Sequence, residues 1–118
     1  MKTISSNGNI TMVRGDTVVF ALFINKGSLL VPERYLLKSG DTVYFGIMEE
    51  NQPFEKAIVK KVYGYYSFRN SNRDLIIKIT PVDTENLLSG DYLYTIKLKT
   101  ADGIVQTLIP ERQLTLIG

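Results

Sequence analysis

The chain has 118 residues, 14 basic and 12 acidic, for a net charge of +2. That length suits one domain able to bury its own core, and the charge balance argues against nucleic-acid binding by bulk electrostatics. Cysteine and histidine are both absent, which excludes disulfides, thiolate metal sites, cysteine nucleophiles, histidine-dependent triads and histidine-based zinc sites.

Residues 1–9 are small and polar, with Asn7-Gly8-Asn9, and read as a flexible N-terminal arm before a domain over 10–118. They carry no apolar signal-peptide core, and no apolar run approaches the ~20 residues of a membrane span. Synthesis in the cytoplasm, with no membrane partner, is the expectation. Residues 10–13 read as a short strand, turned by Arg14-Gly15-Asp16. Residues 17–24, TVVFALFI, are β-branched or aromatic at nearly every position. This predicts a central strand, covered on both faces or facing a partner. Asn25-Lys26-Gly27-Ser28 breaks it. Pro32 argues against a central strand over 29–37 and allows one helical turn there.

Residues 42–48 alternate Val43, Phe45 and Ile47 against Thr42, Tyr44 and Gly46, the period of a half-buried strand. Residues 54–63 read as a strand whose alternation breaks at Ala57-Ile58-Val59. A bulge or a sheet edge guarded by Lys60-Lys61 accounts for that. A long polar and aromatic loop over 64–73 leads to a strand at 75–80. Residues 81–88 read as a connection, with one helical turn over 84–88 capped by Asp83 or Thr84. Residues 89–110 hold the clearest signal. Tyr92, Tyr94, Ile96 and Leu98 alternate with Thr95, Lys97 and Lys99. The turn Ala101-Asp102-Gly103 then leads into a second β-rich run over 104–109, forming a hairpin. Pro110-Glu111-Arg112 interrupts before a last short strand at 113–117. About seven strands at this length predict an all-β fold, a single antiparallel β-sandwich of immunoglobulin type, with a small closed barrel as the alternative.

Gly-Asp precedes a strand three times, at Gly15-Asp16, Gly40-Asp41 and Gly90-Asp91. Glycine allows a tight turn, and aspartate can bond backbone N–H groups as the chain enters a sheet. On this reading Arg14-Gly15-Asp16 is a strand-entry turn rather than an adhesion tripeptide. The acids Glu49, Glu50, Glu55, Asp74, Asp83, Glu85, Asp91, Asp102 and Glu111 fall in loops and turns. No spacing singles out the pair a glycosidase needs. Asp83 and Glu85 lack EF-hand spacing for calcium. No catalytic, cofactor or metal residue is assigned. Residues 63–69 are the most suggestive segment, crowding Tyr63, Tyr65, Tyr66, Phe68 and Arg69. Aromatics anchor protein interfaces and stack on sugars, or they pack under a loop. Tyr65, Tyr66, Phe68 and Arg69 are the candidate interface residues, and a carbohydrate-binding platform is the alternative use.

With the strands placed, the pattern resembles the immunoglobulin-like virion domains of tailed bacteriophages, in particular the N-terminal domain of baseplate upper proteins. The shared features are Arg14-Gly15-Asp16-Thr17 before an apolar strand, then Gly40-Asp41-Thr42-Val43-Tyr44-Phe45-Gly46-Ile47. The final stretch matches best, from Pro81 through Ser89-Gly90-Asp91-Tyr92-Leu93-Tyr94 to Asp102-Gly103 and Thr107. The resemblance spans most of 11–117 and implies a non-enzymatic phage or prophage structural protein. It would be assembled in the host cytoplasm and contact other virion proteins or itself as a homo-oligomer. Family members continue into fibre-forming segments beyond this domain, so a stand-alone structural protein is the expectation here. The family implies no catalytic residues.

Overall fold

The computed structural model describes residues 2–4, 8–22, 39–64 and 75–118. It is mostly β. Strands β1 (Lys2–Ile4), β2 (Ile10–Val13), β4 (Thr42–Glu49), β5 (Val59–Gly64), β7 (Gly90–Lys99) and β8 (Val105–Ile117) form one six-stranded sheet. Their order is β1-β2-β8-β7-β4-β5. Strands β3 (Val18–Leu22) and β6 (Leu75–Ile79) pair antiparallel as a second, two-stranded sheet. One four-residue helix, α1 (Pro81–Thr84), leads toward β7.

The period-2 alternation sets which face is buried. Val43, Phe45 and Ile47 of β4 and Tyr92, Tyr94, Ile96 and Leu98 of β7 point to the same side. Ile10 and Met12 of β2 and Leu114 and Leu116 of β8 join them. Val18, Ile77 and Ile79 belong to the same cluster, so the small sheet shares the large sheet's core. Each fully buried side chain of this size contributes roughly 1.5–3 kcal/mol through apolar burial.

Several sequence expectations need correction. The large sheet is mixed rather than antiparallel, because β2 runs parallel to β8, with Ile10 beside Leu114 and Val13 beside Ile117. Within the 1–9 arm, Lys2–Ile4 pairs with β2. Residues 17–24 do not give a central strand among the described residues: β3 pairs with β6 alone, and Val19 is 41% exposed. Residues 54–63 split. Phe54–Lys56 is a 3-10 turn, with Lys56 N–H on the Pro53 carbonyl, and the strand begins only at Val59.

The helical turn lies at Pro81–Thr84, ahead of 84–88. Proline suits the first turn, and the Asp83 carboxylate accepts the Thr80 N–H at 2.7 Å and the Thr80 hydroxyl at 3.0 Å. Pro110 does not end β8. The register shifts between Tyr94 and Ile96, placing Pro110 and Glu111 opposite Thr95 in a bulge. The buried Thr95 hydroxyl donates to the Ile109 carbonyl there at 2.6 Å.

The expected hairpin between β7 and β8 is present, closed by Thr100 N–H on the Ile104 carbonyl and Gly103 N–H on the Thr100 carbonyl. The three Gly-Asp pairs stand at strand entries. At Gly40, φ is +95° and an added Cβ would lie 2.7 Å from the Ala101 Cβ. The next residue, Asp41, is buried and accepts the Ala101 N–H at 3.2 Å. The entry to β4 is thus fastened to the hairpin tip.

Candidate functional site

Tyr65, Tyr66, Phe68 and Arg69 lie outside the described residues. Tyr63, grouped with them by sequence, is partly buried against the core, and its hydroxyl accepts the Lys78 N–H at 3.4 Å. Its position on β5 is structural. Arg14-Gly15-Asp16 forms a turn tied to the segment before β7. Arg14 Nη1 donates to the Leu87 carbonyl at 3.0 Å, and Gly15 N–H donates to Thr84 Oγ1 at 2.9 Å. Asp83 is engaged by Thr80 and by Lys61 Nζ at 2.8 Å. Among the described residues no three His, Cys, Asp or Glu side chains converge as metal ligands.

The feature with the chemistry of a binding site lies on the large sheet's other face, away from the core. It starts from a glycine. Gly46 stands mid-strand in β4, opposite Lys60 of β5 and Thr95 of β7. The turn at Phe54–Lys56 folds back over it. A Cβ at Gly46 would fall 2.6 Å from Phe54 Cε2 and 3.3 Å from the Ala57 Cβ, so the absent side chain is what lets the ring lie on the strand.

Lys60 and Lys97 flank this notch. Their Nζ atoms lie 4.9 and 5.0 Å from the Phe54 ring centroid, within the range of a cation–π attraction. One row further along, Lys99 of β7 pairs with Thr42 of β4 and Val105 of β8. Two adjoining hollows share Phe54, Glu55 and Lys97. One, about 310 Å³, is completed by Tyr44, Lys60, Lys99 and Val105. The other, about 350 Å³, runs to Thr95, Thr107 and the Pro110-Glu111 bulge.

Charge is unevenly spread along this trough. Lys60, Lys97 and Lys99 line one hollow with Glu55, while Glu55 and Glu111 line the other with Lys97. Among the described residues, Lys60, Lys97 and Lys99 have no carboxylate partner within ion-pairing distance. Apolar surface adjoins them: Val62, opposite Tyr44 across β4 and β5, is 58% exposed, and Val105 is 59% exposed. Such a surface can hold an anionic group beside an apolar one.

Sequence reading missed this site. It placed Phe54 in a strand and read Lys60 as an edge guard. The available signal was Gly46, a residue without a side chain in an otherwise regular alternating strand, which marks close approach by another part of the molecule.

No family model matches the chain, and no curated protein or solved structure matches it significantly.

Proposed function

We propose that the protein is a non-enzymatic structural component of a tailed-phage or prophage particle. It is an immunoglobulin-like β-sandwich that acts through contacts with other virion proteins or with copies of itself. The observation that carries this reading is at the start of β7. The Tyr92 hydroxyl donates to the Leu88 carbonyl, four residues upstream, at 2.7 Å. A tyrosine bonded back to the chain at this point is a corner typical of immunoglobulin-like domains. The strand order supports it, with β1-β2-β8-β7-β4-β5 in one sheet and β3-β6 in the other. The same stretch, Ser89-Gly90-Asp91-Tyr92-Leu93-Tyr94, carries the strongest part of the resemblance to phage virion domains.

The test is mass spectrometry of purified particles from an induced culture of the source strain. The reading expects peptides of this chain at stoichiometric level. Absence from intact particles, with the protein abundant in the lysate, overturns it.

A further inference from the structure

The geometry points to the Phe54 trough as a docking site for an acidic, apolar segment of a partner protein. This rests on the reading of the protein as a module of protein–protein contacts, and it names the chemistry of the contact. Two ammonium groups each lie within 5.0 Å of one ring centroid, and a third lines the same hollow. Like charges gathered this way repel, and no carboxylate of the described residues pairs with them. Among the described residues, Glu55 is the only acid lining that hollow. A carboxylate-bearing partner would relieve the repulsion.

The surroundings select among anions. Val62 and Val105 are both more than half exposed beside the lysines, and Tyr44 and Phe54 supply aromatic faces. A phosphate or sulfate polymer has nothing to place on these side chains. Glu55 and Glu111 along the trough would also repel a continuous polyanion. A peptide with acidic side chains interleaved with apolar ones satisfies both demands. Its carboxylates meet Lys60, Lys97 and Lys99, and its apolar groups cover Val62 and Val105. The trough crosses β5, β4, β7 and β8, roughly 14 Å at the usual strand spacing, and so holds a short extended segment.

The probe is a fluorescein-labelled hexapeptide of alternating glutamate and leucine, titrated with the whole chain and followed by anisotropy. Saturable binding is expected, weakened about threefold by Lys97→Gln and about tenfold or more by the double variant Lys60→Glu/Lys99→Glu. It should also weaken as salt rises. Lys60 and Lys99 are exposed, so thermal unfolding of the double variant should match that of the parent. The site assignment fails if binding is not saturable, or if the double variant binds as well as the parent. It also fails if a lysine–leucine hexapeptide binds equally. Tighter binding of heparin than of the peptide would make this a polyanion site and overturn the proposal. So would self-association abolished by Lys97→Gln without peptide binding, which would give the face to a second copy. Particle incorporation without peptide binding would sink this assignment alone; peptide binding without incorporation would sink the virion reading alone.

Discussion

Two side chains, Tyr94 and Asp83, tie distant parts of the chain to the core sheet and make the protein's stability depend on pH at opposite ends of the scale. The buried Tyr94 hydroxyl donates to the Gly8 carbonyl, fastening the N-terminal segment to β7. Burial raises the Tyr94 phenol above its ordinary value, against an opposing pull from Arg112. The folded state therefore holds this proton more tightly than the unfolded chain. Its contribution is complete below the unfolded value of about 10 and is lost as pH rises through the higher folded value. Tyr94→Phe should cost about 1 kcal/mol at neutral pH, and urea unfolding should show a shallower alkaline loss. At Asp83, burial pushes the carboxyl up, but hydrogen bonds from Lys61 and Thr80 and the Lys61 charge outweigh it. The carboxyl is held below its ordinary range. Its contribution is complete above the unfolded value of about 3.9 and disappears as pH falls through the folded one. Asp83→Asn should flatten the acid limb of stability against pH. Asp83→Ala should cost about 1 kcal/mol at neutral pH by removing the cap.

At the scale of elements, two glycines decide how loops meet strands. Gly40 needs positive φ and sits against Ala101. Gly40→Ala should destabilise by about 1–2 kcal/mol, since the left-handed region disfavours a Cβ and the hairpin tip must also move. Equilibrium denaturation would read this loss. Gly46→Val should displace the Phe54 ring, and the ring-current shifts that Phe54 induces on the Lys97 side-chain protons should disappear from the NMR spectrum. The strands themselves were legible in sequence wherever one face is buried and the other wet. The alternations Val43-Phe45-Ile47 and Tyr92-Tyr94-Ile96-Leu98 report the core directly. Where the chain bulges, that signal fails. Pro110 looked like a strand end because a local reading does not see Thr95 opposite, bonding the Ile109 carbonyl. The trough was not legible for a related reason. Lys60 and Lys97 lie on β5 and β7, and only their shared neighbour β4 brings them to one ring.

For the whole molecule, stability rests on one core shared by two sheets, in which Phe45 is fully buried and packs at 5.9 Å, ring to ring, on Tyr94. Phe45→Ala should cost about 3–5 kcal/mol, measurable by urea unfolding. Among the described residues the least local pairing is β2 against β8, with Ile10 beside Leu114. Their parallel direction governs how the molecule would bear a mechanical load. Traction on the two chain ends would first unzip β1, whose outer end leaves beside Met12, breaking its bonds singly. The pull then passes to Ile10 at one end of the ladder and Ile117 at the other, drawing the two strands along each other. Their hydrogen bonds are loaded together, in shear, and must fail as a set. Under such a load, the pairing that is slowest to find during folding would be the clamp that holds longest.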